Sequence, residues 1–261
     1  MHTKLSLYKH LSISVLLLFA SGCATVSAPD ERDPWESYNR SVHGFNEAFD
    51  SAIGQPVAEA YQFIMPDFIE TGIANFFSNI NDIIVVVNDL LQFKLEQAVL
   101  DFGRIVYNTT FGLLGLFDVA SHMELPKHNE DFGQTLAVWG VGDGAYFVLP
   151  FLGPSTVRDT TGLVADTYID PLINFRDNET RWGLIALRAV DRRASLLEAT
   201  RIMEKSGIDS YVFMRNAYFQ IRENQIYDGS PPATTTIIAP TKEDLDLEKE
   251  LEQELQLKPG K

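Results

Sequence analysis

Three arginines of this sequence, Arg40, Arg104 and Arg158, could hold a phosphate group. A guanidinium presents a planar fork of N–H donors that matches two phosphate oxygens at once. Arginines also lie on helix surfaces and cap helix ends without any ligand. The sequence leaves these two interpretations equally open, so the three arginines are candidate phosphate contacts and not an assigned site.

Enzymatic chemistry has little support in the sequence. It contains no Gly-x-Ser-x-Gly segment that would present a nucleophilic serine. His122, Glu124 and His128 are possible zinc-ligand types, but their spacing matches no established zinc motif, and a polar loop is the better interpretation. The GVGDG segment at 140–144 lacks the strand-turn-helix context of a nucleotide-binding loop. We therefore expect no enzyme activity, no metal and no cofactor.

Cys23 is the only cysteine, which excludes a disulfide within the chain. Two lysines and an apolar run at 11–20 precede it, the order of a bacterial export signal. A ten-residue helix rises about 15 Å, half of the roughly 30 Å hydrocarbon core of a membrane, so residues 1–22 are predicted to be a removable signal. The segment Ala-Ser-Gly-Cys at 20–23 resembles a lipoprotein cleavage box and predicts an acylated Cys23 at the mature N-terminus. The alternative is an ordinary secretory signal followed by a stray thiol.

The charge and the local sequence define the expected location and the domains. Ala24 stands where a lipoprotein retained in the inner membrane would typically have aspartate, which predicts the outer membrane. The net charge of −15 argues against nucleic-acid binding and against a polybasic grip on anionic lipids, so membrane contact would be apolar. We expect a tether at 23–32, a helical domain at 33–228, and a Pro/Thr linker with an acidic, mostly disordered or partly helical tail at 229–261.

Periodic apolar residues predict the helices that would position these groups. Asp33, Pro34 and Glu36 form a capping box, and Asp67 with Glu70 repeats the signal. Stripes at spacings of three and four follow each start: 35, 38, 42, 45, 49 and 52, then 68, 69, 73, 76, 77 and 80. Further helices are predicted at 83–91, 94–107, 179–205 and 209–227, although 83–87 alone fits a short strand equally well. Gly207 and Gly229 are the expected helix stops.

Glycines interrupt the apolar sequence between 111 and 162, so no single helix is expected to run through it. The stretch 136–153 is long enough for a membrane span but contains Asp143 and Pro150. Irregular backbone lies at membrane depth only where protein covers it or where it lines a wet cavity. This predicts a hairpin or turn that faces a channel.

Four blocks of residues, in order and at consistent separations, resemble the MlaA (VacJ) family of lipoproteins. They are DPWESYNR at 33–40 with FN at 45–46; NFF at 75–77 with LQFK at 91–94; NTT at 108–110 with FDVA at 117–120; and DFGQTL at 131–136 with WGV at 139–141 and GPS at 153–155. The resemblance covers residues 33–220. The acidic tail lies outside it.

The resemblance implies an all-α fold, in which interfacial membrane helices form a ring around a central amphipathic channel. It also implies removal of mislocalised phospholipids from the outer leaflet of the Gram-negative outer membrane, together with trimeric porins and a soluble periplasmic phospholipid carrier. The protein would be lipid-anchored in the periplasmic leaflet and embedded in the bilayer. The alternatives are a structural, porin-associated lipoprotein without transport and, with less support, a phospholipase.

Within this interpretation ten residues are candidate channel residues. They are Asn39, Arg40, Phe45, Asn46, Arg104, Asn108, Gly140, Gly142, Gly144 and Arg158. Asn46, Asn75, Asn79 and Asn108 lie beside apolar faces, where buried structural hydrogen bonding is the competing interpretation.

Overall fold

A computed structural model describes residues 30–207 and 209–232 of the chain. The predicted signal, Cys23 and most of the tail lie outside these residues. The helices are α1 Glu36–Phe49, α2 Gln55–Ile64, α3 Asp67–Leu91, α4 Leu95–Thr110, α5 Val119–His122, α6 Phe132–Val138, α7 Val157–Ile169, α8 Asn178–Ser195, α9 Leu197–Ser206 and α10 Ser210–Ile226, with a π-helical turn, Asp50–Gly54, between α1 and α2. The described residues divide into two units, with the boundary between Phe219 and Gln220. The described part of the second unit is the end of α10 and residues 227–232.

The prediction that Asp33 and Asp67 cap the starts of two helices is wrong. Trp35 occupies the N-cap of α1 and Pro66 that of α3, and within the described residues no side chain caps either helix. Asp33 is instead buried, and its carboxylate accepts hydrogen bonds from Asn39, Tyr211 and Arg215. Tyr211 and Arg215 are 178 and 182 residues away in the chain, and the guanidinium of Arg215 binds a carboxylate more strongly than the neutral backbone N–H groups of a helix start do.

Helix boundaries differ from the periodic pattern where tertiary contacts decide them. Residues 83–87 are helical, and α3 runs unbroken through 25 residues. The predicted helix at 179–205 is divided at Leu196 into α8 and α9. Gly207 ends α9 with a positive φ of 68°, as predicted. Gly162 lies inside α7, where a Cβ atom would come 2.7 Å from the Cα of Gly133 in α6, so this glycine permits close packing of two helices.

The strictly all-α prediction also needs correction, because the mostly helical chain contains one β-hairpin. Strands β1 Tyr146–Leu149 and β2 Gly153–Thr156 pair antiparallel, with Tyr146 opposite Thr156 and Leu149 opposite Gly153. Gly153 has a φ of 84° and Phe151 a φ of 64°, which close the turn. Four-residue strands carry too little alternation to be recognised from sequence.

The distribution of polar and apolar residues is the opposite of that in a water-soluble globule. More polar and charged residues than hydrophobic residues are buried in the described chain. Two small apolar clusters form around Val42, Tyr146, Val148 and Tyr211, and around Ala58, Tyr61, Ala194 and Leu197. Among the exposed aromatic residues, Phe63 is 91% exposed and Phe93 84%. In the described part of the chain, no helix is both long and apolar enough to cross a bilayer.

Candidate functional site

Asn39 and Asn46, one heptad apart on α1, attach this helix to the β-hairpin. The Asn39 side chain donates to the carbonyl oxygen of Tyr146 at 3.1 Å and accepts from the N–H of Val148 at 2.9 Å. Asn46 donates to the carbonyl oxygen of Leu149 at 3.0 Å and accepts from the N–H of Phe151 at 2.8 Å. Each amide therefore acts as a peptide group would in a neighbouring strand.

Aromatic rings reinforce this attachment at the hairpin turn. The ring of Phe151 packs edge-on against Phe45, with centroids 5.2 Å apart, and against Phe49 at 4.9 Å. Phe45 nevertheless remains 49% exposed and Phe151 63% exposed. The turn thus presents aromatic surface to its surroundings while its backbone is held by Asn46.

Arg40 is half-buried on the same helix and is tied to two carboxylates. Its guanidinium donates to Glu36 at 2.7 Å and to Asp209 at 2.9 Å, and it lies 4.5 Å from the centroid of the Tyr211 ring. Burial lowers the pKa of Arg40, but the hydrogen bonds to Glu36 and Asp209 outweigh it and the pKa is raised. The positive charge is therefore permanent and partly accessible.

Arg104 and Asn108, on α4, form a second group around Asp118. Arg104 is 2% exposed; it donates to both oxygens of Asp118 at 3.1 Å and to the carbonyl oxygen of Leu125 at 2.7 Å. Asn108 donates to Asp118 at 3.0 Å and accepts from the N–H of Ala120 at 2.9 Å. Burial alone would raise the pKa of Asp118, but hydrogen bonds from Ser121, Asn108 and Arg104 lower it to about 2. This group holds the residues that follow α4 against the helix.

Arg158, near the start of α7, holds the third group, the glycine-rich loop at 140–144. Its guanidinium pairs with Asp143 and, at 2.9 Å, with Asp159, while its backbone N–H donates to the carbonyl oxygen of Asp143 at 3.1 Å. The loop is exposed, and Gly140 and Gly144 have φ values of 89° and 69°. Arg158 itself is 5% exposed.

The candidate residues therefore belong to three separate groups in the structure: α1 with the hairpin, α4 with Asp118, and α7 with the loop. The postulated zinc ligands do not form a site with one another. His122 contacts the carbonyl oxygen of Asp118 at 2.9 Å and His128 the carboxylate of Asp101 at 2.7 Å. In the described ranges, no group of three or more His, Cys, Asp or Glu side chains is arranged to hold a metal ion.

Sequence reasoning missed the acidic side chains that lie between α3 and α4. Asp82, Asp89 and Asp101 have no exposed surface. A signal for them is present in the sequence, since polar residues recur at helical spacing on both helices. They are Asn75, Asn79, Asp82 and Asp89 on α3, and Gln97, Asp101, Arg104 and Asn108 on α4. The acidic residues of these stripes were missed because a polar stripe is normally the solvent face.

Comparison with known proteins identifies the family. A family model described as MlaA lipoprotein matches residues 31–225. The Escherichia coli K12 protein named intermembrane phospholipid transport system lipoprotein MlaA is 36% identical over 207 residues, covering 76% of this chain and 81% of that protein. The Haemophilus influenzae protein of the same name is 32% identical and covers 88% of this chain and 93% of its own length.

A solved structure has the same fold. It is described as the structural basis for maintenance of bacterial outer membrane lipid asymmetry, and it matches with a TM-score of 0.66 and 32% identity over 76% of this chain and 99% of that one. The chain belongs to the MlaA lipoprotein family. The resemblance seen in the four sequence blocks is thereby confirmed.

Proposed function

We propose that this protein is an outer-membrane lipoprotein that removes mislocalised phospholipids from the outer leaflet and passes them through a polar channel to a soluble periplasmic carrier. The names of the Escherichia coli and Haemophilus influenzae relatives support phospholipid transport. The description of the similar solved structure supports maintenance of lipid asymmetry. Trimeric porins are the proposed partners within the membrane.

The observation that carries this proposal is the inverted burial of polar and apolar residues. Burying a large apolar side chain contributes about 1.5–3 kcal/mol, which exposed residues such as Phe63, Phe68, Phe93 and Tyr168 forgo in water. In hydrocarbon these same side chains are well solvated. Polar residues between the helices would then form the channel wall along which a charged headgroup can pass. A bilayer is therefore the environment in which this distribution is stable.

A polar path also explains how transport can proceed without an energy source. Moving a phospholipid headgroup through hydrocarbon costs at least several kcal/mol, because its charges lose hydration. A channel wall of polar groups removes most of that cost. The acyl chains, at about 0.8 kcal/mol per methylene, would stay in contact with lipid or with apolar protein surface. The carrier's affinity would set the direction of net flow.

The contacts divide the ten candidate residues into two proposed roles. Arg40, Phe45 and the glycines of the 140–144 loop are partly or fully accessible, so we assign headgroup and chain contact to them. The polar atoms of the other candidates bind groups within the protein, so we propose that these residues hold the channel wall in position. They are Asn39, Asn46, Arg104, Asn108 and Arg158. The ring of helices around this channel is part of the same proposal.

Acylation of Cys23 would fix the protein to the periplasmic leaflet of the outer membrane. More than one lipid chain on one residue gives stable attachment. Metabolic labelling with palmitate, followed by fractionation of the membranes, tests this assignment. Wild-type protein should carry label in the outer membrane, and Cys23→Ala should carry none. Labelled Cys23→Ala protein would contradict the anchor.

Reconstitution tests the transport itself. Proteoliposomes containing the acylated protein, a porin and a fluorescent phospholipid are mixed with the soluble carrier, and label on the carrier is followed over time. Intact lipid on the carrier supports transport. Released fatty acid would indicate a phospholipase, and lipid that stays in the vesicles would indicate a structural lipoprotein.

A matched pair of variants tests whether the loop at 140–144 lies on the lipid path. Gly142 and Gly183 both have open space around them in the described chain, and Gly142 is in the loop while Gly183 is on α8. Gly142→Trp should slow transfer at least tenfold by obstructing the path, and Gly183→Trp should leave it unchanged. Equal transfer by both variants would remove the loop from the proposed channel.

A further inference from the structure

Two aspartates meet in a fully buried position between α3 and α4. Asp89 lies near the end of α3 and Asp101 in α4, neither has exposed surface, and their carboxyl groups are within hydrogen-bonding reach. Among the described residues, no donor serves either oxygen of Asp89 or the Oδ1 atom of Asp101. Two ionised carboxylates in this arrangement would repel each other, and no hydrogen bond to these three oxygens would offset the repulsion.

The remaining carboxylate oxygen, Oδ2 of Asp101, contacts a side chain that reaches solvent. Oδ2 of Asp101 lies 2.7 Å from Nδ1 of His128, whose side chain is 21% exposed. His128 belongs to the segment between α5 and α6, residues 123–131. The other ionisable side chains on the elements packed around the pair are Lys94, which precedes α4; Lys127 and Glu130 in the same segment; Asp82 on α3; Arg104 on α4; and Asp166 on α7.

The surroundings favour a proton on Asp89. The pKa of Asp89 is raised to about 7; burial is the largest cause, the neighbouring Asp101 and Glu130 also raise it, and Lys94 opposes them. The positive charge of Lys94 thus compensates for only part of the combined negative charge. A carboxylic acid beside a carboxylate is the arrangement that these charges stabilise.

We propose that Asp89 and Asp101 form an acid pair that binds one proton between α3 and α4, and that His128 connects this proton to solvent. Asp89 carries the proton and donates it to Oδ1 of Asp101, while Oδ2 of Asp101 interacts with His128. Loss of the proton places two negative charges in contact and weakens the interface to which His128 attaches residues 123–131. The pair therefore holds residues 123–131 against the helices more firmly at low pH than at high pH. This proposal does not depend on the proposed transport function.

The direction of the pH effect follows from the raised pKa. The unfolded chain ionises Asp89 near its ordinary pKa of 3.8, and the folded chain near 7. The stabilisation by the proton is therefore complete below about pH 4 and is lost as the pH rises through 7. The unfolding equilibrium constant should rise by roughly 50-fold between pH 5 and 7 from this group alone.

Asp89→Asn isolates this effect, because asparagine keeps a donor for Asp101 and cannot ionise. The full chain in detergent is unfolded with urea at pH values from 5 to 8, and the ratio of unfolding constants, wild type to variant, is plotted. This ratio should rise roughly 50-fold between pH 5 and 7 and level off above that. Asp67→Asn, an exposed carboxylate on the same helix, is the control and should give a nearly constant ratio. A constant ratio for Asp89→Asn overturns the proposal.

Two measurements on the wild-type protein keep the proposal testable if the variant does not fold. Infrared spectroscopy should detect a protonated carboxyl band at pH 6 that disappears by pH 9. The protection of amides in residues 123–131, measured relative to their intrinsic exchange rates at each pH, should fall with the same midpoint. Absence of the band at pH 6 overturns the proposal. Stabilisation at pH 8 by millimolar calcium or magnesium chloride in wild type, lost in Asp89→Asn, also overturns it, because the pair would then bind a cation.

Discussion

Replacing each of the two asparagines of α1 by alanine tests how the helix holds the β-hairpin. Asn39 and Asn46 make the same pair of contacts with hairpin backbone, but they differ in burial. Asn39 has no exposed surface, whereas the hydrogen bonds of Asn46 are made at the turn beside Phe151, which is 63% exposed. The same truncation should therefore have two different costs.

The magnitude depends on whether water can replace the lost amide. In Asn39→Ala, the Tyr146 carbonyl oxygen and the Val148 N–H remain buried without a partner, at about 1–3 kcal/mol each. Asp33 also loses a donor that lies 2.7 Å from its carboxylate. We expect a loss of about 3–5 kcal/mol in the free energy of unfolding. In Asn46→Ala water reaches the turn, and the loss should be about 1 kcal/mol.

Urea unfolding in detergent, followed by circular dichroism, measures both changes. The slope with urea should stay constant, so that the shift in midpoint reports stability. Asn39→Asp should be no better than the alanine variant, because its carboxylate would face Asp33. Equal losses for the two alanine variants would refute the assignment of their different costs to burial.

Three further changes have expected outcomes in the same urea assay. Gly162→Ala should cost about 3 kcal/mol, the upper end of the usual cost of core overpacking, or prevent folding, because its Cβ would lie 2.7 Å from the Cα of Gly133. Gly183→Ala, in open space, should stabilise α8 by about 1 kcal/mol. If both behave alike, close helix contact is not the reason for Gly162. Arg104→Met should cost about 3–5 kcal/mol, because Asp118 keeps its charge without the guanidinium; a loss below about 1 kcal/mol would mean that solvent replaces the arginine. Asp118, whose pKa is lowered to about 2, contributes stability that is present above about pH 4 and lost as the pH falls toward 2. Asp118→Asn should show a weaker loss over that range, and an unchanged acid transition would contradict the pairing.

Much of the helical framework could be predicted from the sequence. Periodic residues located α1, α3, α4 and α10, because helix formation follows local spacing over several turns. Gly207 was identified as a stop because a left-handed residue ends a helix at little cost only when it is glycine. The four family blocks were equally visible, since their order along the chain requires no structure.

The contacts of the candidate residues could be predicted less well. Asn39, Asn46, Arg104 and Asn108 are candidates from the sequence, yet their partners on the hairpin and around Asp118 are 10 to 109 residues away. Asp33 illustrates the difficulty, because it fits a local helix cap but binds Arg215. A side chain with one local and one distant option takes the stronger partner, and only the folded chain brings that partner within reach.

The sequence by itself determined the family, the positions of the main helices and the glycines that end or separate them, because all of these depend on neighbouring residues. The tertiary structure decided which face of each helix is buried. Spacing defines a polar and an apolar face on α3 and α4, but the pairing of the helices turns Asp82, Asp89, Asp101 and Arg104 inward and leaves Phe68 and Phe102 exposed. Which face is buried depends on the partner helix and on whether water or lipid surrounds the protein, and the spacing of residues predicts neither.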